Sequence, residues 1–131
     1  MSTLEVSNLN DGTTTVATTF ITNGSVKASA FVDGTGTPSI THSLNASSVT
    51  DNGSGDYTVV WTNSFNTWFD QVLATDASYT QSIGGPFVVS SYYNSSTHTD
   101  RRQVRCGEEN SGTITLQDCE GVCLSITGDL A

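Results

Sequence analysis

The stretch SSVTDNGSGDYTVVW, Ser47–Trp61, decides how the rest of the chain is read. Its first half gathers Asp51, Asn52, Gly53, Ser54, Gly55 and Asp56 at consecutive positions, and its second half alternates Tyr57, Val59 and Trp61 with Thr58 and Val60. Asn and Gly tolerate positive φ, and Asp and Ser side chains bond the backbone two residues on, so the first half reads as a turn. The alternation that follows reads as a β-strand, with the aromatic face expected in the core. A calcium loop would need about six or more oxygens and a distal acid, and no further acid follows Asp56 until Asp70. A phosphate cradle would need a Lys and a following helix, and neither is present. The loop is therefore read as a hairpin turn, and the chain as a β protein.

Working outward, the segments Thr18–Thr22 and Ser25–Val32 are separated by Asn23-Gly24, a strong hairpin signal, so a hairpin is expected there. The second arm ends at DGTGTP, and SITHSLN then places Ile40, His42 and Leu44 on one face, which is expected to be the core side. FNTWFDQVLATDASY is read as a strand through DQVLAT, with one helical turn at Trp68–Leu73 as the competing reading. FVVSSYY, after Gly84-Gly85-Pro86, is followed by RQVRCGE, GTITLQ and VCLSIT. These make eight or nine strands at spacings of about 10 residues with no helical segments between them, which predicts an antiparallel arrangement. The expected fold is all-β: an antiparallel β-sandwich, jelly-roll-like, over residues 18–131. It is preceded by an extended N-terminal arm, residues 1–17, in which NDGTTT interrupts any pattern.

Composition narrows the function. The 131 residues suit one domain with its own core. Charged residues are 13% of the chain, about half the usual share, and hydroxyl side chains supply the polar surface instead. The net charge of −9 is spread along the chain and disfavours nucleic acid and anionic membranes as partners. No apolar run approaches the length of about 20 residues that a membrane span needs. The start lacks the basic and apolar regions of a signal peptide, so the expectation is a product made in the cytoplasm and freed by a route such as lysis.

The bases crowd at Arg101, Arg102 and Arg105. They are candidates for gripping a carboxylate or a neighbouring subunit, against the alternative of a locally paired patch. In the arm, Leu4, Val6 and Leu9 are the candidate partner-binding residues, since an extended arm on a small β domain often reaches a neighbour. Adjacent Tyr92 and Tyr93 must point to opposite faces of a strand, which exposes one of them as a candidate stacking platform for a glycan.

Cys106, Cys119 and Cys123 lie in the last quarter of the chain. Together with His42 and His98 they lack the tight paired spacing of a zinc site, and no metal ligand is assigned. They are read as buried thiols or as one disulfide, Cys106 with Cys119 or Cys123, formed in an oxidising medium. There is no G-x-S-x-G, and Glu108 and Glu109 point to opposite faces of a strand. No catalytic or cofactor-binding residue is assigned, and an enzyme is not expected. Asn-x-Ser occurs at Asn23, Asn45, Asn52 and Asn94, as a Ser-rich chain produces by chance, and no glycans are assigned.

STLEVSNLNDG at the start and ITNGSVKASAFVDGTGTPSITHSLNASSVTDNGSGDYTVVWTNSF further on resemble a module of structural proteins of tailed bacteriophages, notably those of marine bacteria. Such modules are often labelled tail fibre or virion structural protein. The usual form begins Ser-Thr-Leu-Lys-Val and continues with Lys-Ala-Trp-Val-Asn-Phe, Asp-Gly-Thr-Gly-Thr and Thr-Asp-Asn-Gly-Thr-Gly-Asp-Tyr-Thr-Val. The match spans Ser2–Val6 and Ile21–Phe65, with Thr50–Val59 its most specific part. Glu5 and Ser29 depart from the pattern, Ser29 standing where the family has Trp, which puts the packing of that strand in question. The resemblance implies a non-enzymatic β-sandwich protein on the virion surface, displayed as a fibre, spike or capsid decoration. It implies self-association, most simply a homotrimer, and contact with capsid or tail proteins. The alternative is a receptor-binding or carbohydrate-binding module that contacts host glycans.

Overall fold

A computed structural model of the chain describes residues 5–67, 72–78, 87–92 and 98–131, without the side chains of 23, 72–78, 87–92 and 110. Among the described residues, eleven strands and one helix follow in order: β1 (Asn8–Asn10), β2 (Thr15–Ala17), α1 (Thr18–Gly24), β3 (Val26–Asp33), β4 (Ser39–Leu44), β5 (Ala46–Gly53), β6 (Asp56–Trp61), β7 (Val72–Ser78), β8 (Phe87–Tyr92), β9 (Arg101–Asn110), β10 (Thr113–Leu116) and β11 (Gly121–Thr127). The chain is an all-β antiparallel sandwich, as the strand spacing predicted. One sheet has the order β4-β3-β11-β7; in the other β5-β6-β9-β8 pair in turn, and β10 joins the edge of β9 beyond the end of β6.

Period-two alternation builds the core from both sheets. Ala28, Ala30 and Val32 of β3 and Val122, Leu124 and Ile126 of β11 come from the first sheet; Tyr57, Val59 and Trp61 of β6 and Val104 and Cys106 of β9 come from the second. The aromatic face of DYTVVW is thus the buried one. Phe65 closes one side, its ring edge-on to Trp61 with centroids 6.4 Å apart, a favoured aromatic geometry.

The quoted stretch is a hairpin with a tighter turn than its composition suggests. β5 continues to Gly53, so only Ser54 and Gly55 connect the strands. Gly53 (φ 131°) and Gly55 (φ 63°) take the positive dihedrals, and Asp51 Oδ1 accepts the Gly53 N–H at 2.9 Å.

Three expectations are corrected. Residues 18–24 form α1 and not one arm of a hairpin: a type I′ turn needs positive φ at both central residues, and Gly24 has none. Thr18 is held back onto the first segment instead, its N–H bonding the Ser7 carbonyl at 2.9 Å and its hydroxyl the Val6 and Ser7 carbonyls. Consequently the sandwich begins at Val26, and the described residues ahead of it form a β1–β2 hairpin followed by α1, where an extended arm was expected.

The third correction concerns β4. Phe31 pairs with His42 and Val32 with Ile40, so the ladder skips Thr41, a bulge that flips the face of every residue beyond it. Ile40 packs on the core, while His42 and Leu44 are exposed. Ser29, by its register opposite Leu44 and Ser125, also lies on the outer face, so the missing Trp leaves the core packing intact.

Candidate functional site

Among the described residues, the N-terminal unit exposes Val6, Leu9, Val16, Phe20 and Ile21. Asp11 turns the β1–β2 hairpin, its Oδ1 accepting the N–H groups of Thr13 (2.9 Å) and Thr14 (2.7 Å). These bonds, Thr14 foremost, hold its carboxyl below the usual carboxylate range. Leu9 pairs directly with Val16, which puts both side chains on one face of the hairpin. With Ile21 of α1, and with Asn10, Asp11 and Thr14, they line a groove of about 530 Å³. Phe20, also on α1, is 75% exposed. Val6 and Leu9, two of the sequence candidates, are exposed in this unit; Leu4 lies outside the described residues. Phe20 and Ile21 were missed because the Asn-Gly signal placed them in a strand of the sandwich.

The arginine cluster is split by the strand that carries it. Neighbours on β9 point to opposite faces, so Arg101, Gln103 and Arg105 face outward while Arg102 lies with Val104 and Cys106 on the core side. Arg102 is 3% exposed, and burial pushes its guanidinium down to about 10. It is not a surface contact residue, which corrects its assignment. Arg101 grips Asp100 with Nη2 at 2.8 Å and Nε at 3.1 Å; that bond lowers the Asp100 carboxyl and raises the arginine.

Arg105 and Gln103 belong to a polar ladder on the outer face of the second sheet. Arg105 pairs with Asp56 across the β6–β9 register and donates Nε to Oδ2 at 2.6 Å. Gln103 Nε2 (2.5 Å) and Asn52 Nδ2 (3.1 Å) both donate to Asp56 Oδ1, and Asn52 also reaches the Thr58 hydroxyl. Asp56 is 7% exposed; burial would raise its carboxyl, but the bonds from Gln103, Arg105 and Asn52 outweigh it and hold the group below the usual range. Backbone pairing sets Tyr92 of β8 opposite Gln103, and Tyr93 lies outside the described residues. Asp56 was considered in the sequence only as a metal ligand, and its partners are distant in the chain.

A buried node closes one end of the sandwich, where β6 gives way to β10 along β9. The Tyr57 hydroxyl is directed at Asp118 Oδ1 (2.9 Å) and the Gly34 carbonyl (3.3 Å); the same Asp118 oxygen accepts the Gly55 N–H at 2.8 Å. Burial first, and the bond to Asp118 second, raise the Tyr57 phenol. Cys106 and Cys119 form a disulfide here, which resolves the pairing the sequence left open, and Cys123 is an exposed free thiol. The Gly34 N–H bonds the Cys119 carbonyl, and the Cys106 N–H bonds that of Gly55. This node is a structural clamp, with no nucleophile set beside a base.

Among the described residues no group of three or more His, Cys, Asp or Glu side chains could hold a metal ion. No helix of the described residues is long and apolar enough to cross a membrane. No family model, curated protein or solved structure matches the chain.

Proposed function

We propose that this protein is a non-enzymatic structural protein of a bacteriophage particle, displayed on the virion surface as an oligomeric fibre, spike or capsid decoration. The observation that carries the reading is the division of labour between its two parts. A small N-terminal unit exposes Phe20 and a groove lined by Leu9, Val16 and Ile21, ahead of a sandwich with its own core. Apolar surface of this density on one unit marks an attachment site, and a low-charge, hydroxyl-rich sandwich suits display in solvent. The resemblance of Ser2–Val6 and Ile21–Phe65 to phage structural modules supports the same reading. The partners would be further copies and a capsid or tail protein, and the site of synthesis the host cytoplasm.

The test is gold labelling, with antibody to the purified protein, of particles from a lysate that encodes it. Regular labelling of heads or tails is expected, and unlabelled particles would refute the reading. A second reading, a glycan-binding module, draws on the outer ladder of Asn52, Gln103 and Arg105 around Asp56, planar groups of the kind that hydrogen-bond sugar hydroxyls. Retention of the isolated protein on immobilised host polysaccharide, lost in Gln103→Ala, would favour it.

A further inference from the structure

We propose that Asn52 is a site of self-modification, at which the side-chain amide leaves as ammonia and aspartate or isoaspartate remains, so that the outer ladder around Asp56 carries its own chemical timer. The inference goes beyond the virion reading and does not depend on it.

The reaction needs an Asn whose side-chain carbon can be met by the backbone nitrogen of the next residue, and a next residue that leaves room for the ring so formed. Gly53 is such a residue: it has no side chain, and the space where a Cβ would stand is open. The strand is also loose at this point. β5 lies at the edge of its sheet among the described residues, and the register passes from Asp51 opposite Tyr57 directly to Gly53 opposite Asp56. Asn52 is thus the extra residue of a bulge, with no ladder partner of its own, and it is exposed to the water the reaction consumes.

An acceptor for the proton is already in place. The Gly53 N–H donates to Asp51 Oδ1 at 2.9 Å. A backbone nitrogen attacks only as it gives up its proton, and a carboxylate bonded to that proton is positioned to take it. Opposing this, Asn52 Nδ2 donates to Asp56 Oδ1 at 3.1 Å and to the Thr58 hydroxyl at 2.9 Å, which holds the amide toward β6. Both bonds lie at or near the surface, where water replaces them at little cost, so they delay the reaction without preventing it.

In the first step the Gly53 nitrogen bonds to Cγ of Asn52, and its proton passes by way of Asp51 to Nδ2. The Cγ–Nδ2 bond breaks, and ammonia leaves a cyclic imide. Water then adds to either carbonyl of the imide, giving aspartate or, with one more methylene in the main chain, isoaspartate. The ladder loses a donor and gains a charge: Asp56, which accepted a bond from Nδ2, then faces a second carboxylate.

The test is prolonged incubation of the full-length protein in warm, mildly alkaline buffer, followed by peptide mapping with fragmentation that separates isoaspartate from aspartate. Asn52 should convert to a mixture of the two. Asn23, also followed by Gly but inside α1, where the next N–H belongs to the helical ladder, should lag severalfold. Asp51→Asn keeps an acceptor for the Gly53 N–H but not a base. It should slow Asn52 at least about tenfold in the folded protein, the low end of what a positioned base contributes, and leave the rate in urea unchanged. Thr58→Val frees one of the two restraining bonds and should speed conversion severalfold. Asn52→Asp should show from the start the lowered urea midpoint that the parent reaches with age, while Asn52→Gln, which would have to close a larger ring, should keep its midpoint. An Asn52 that stays intact, conversion to aspartate with no isoaspartate, or equal rates in the parent and Asp51→Asn would each overturn the inference. Unchanged near-UV circular dichroism in Asp51→Asn and Thr58→Val excludes unfolding as the cause of either change.

Discussion

Reducing the Cys106–Cys119 disulfide should cost the protein about 3 kcal/mol of stability. The two cysteines are 13 residues apart and bracket the β9–β10 hairpin and the return toward β11. Cross-linking a loop of that length removes chain entropy from the unfolded state, worth about 3 kcal/mol at 25 °C. For a domain of this size the loss corresponds to a fall in melting temperature of roughly 10–15 °C. Both residues are almost fully buried, so a reductant reaches the bond only when that end of the sandwich opens. The assay is urea unfolding with and without reductant, alongside thiol titration. The native protein should show one reactive thiol, the exposed Cys123, and the denatured, reduced protein three. A Cys106→Ala/Cys119→Ala variant should reproduce the reduced midpoint without reductant, to within the small loss of sulfur packing. Equal urea midpoints with and without reductant, or three reactive thiols in the native oxidised protein, would refute the reasoning.

Three more outcomes follow from the buried node and the outer ladder. Gly55→Ala should destabilise by several kcal/mol or prevent folding, because its Cβ would lie 2.2 Å from the Cys106 carbonyl oxygen at a φ of 63°; Gly53→Ala, also at positive φ but in open space, should cost only about 1 kcal/mol, read as urea midpoints. Tyr57→Phe removes the bond to Asp118 and should cost about 1 kcal/mol at neutral pH. Because the Tyr57 phenol is raised in the fold, its contribution is present below about pH 10 and lost as pH rises beyond, so the variant should unfold less steeply in alkali. The Asp56 carboxyl is lowered, so its contribution is present above about pH 4 and lost as pH falls through the folded value; Asp56→Asn should flatten the acid limb of a stability–pH profile measured by urea denaturation.

What the sequence determined by itself was what periodicity and turn chemistry encode locally. The alternation of Tyr57, Val59 and Trp61 named the buried face of β6, and Asp51 to Gly55 named the turn before it, because both signals act within a few residues. The late strands were legible for the same reason. Tertiary structure decided the rest, through register and competition. The bulge at Thr41 turned His42 and Leu44 outward, since a one-residue slip in a ladder inverts every face after it. Asn23-Gly24 did not make a hairpin because Thr18, tied back to Val6 and Ser7, had already committed the segment to α1. Three clustered arginines became two surface residues and one core residue by strand alternation, and Cys106 found Cys119, not Cys123, because those two are buried together while Cys123 faces outward on β11. The groove of Leu9, Val16 and Ile21 had no sequence signal at all: it exists only where a hairpin and a helix from different local patterns come together.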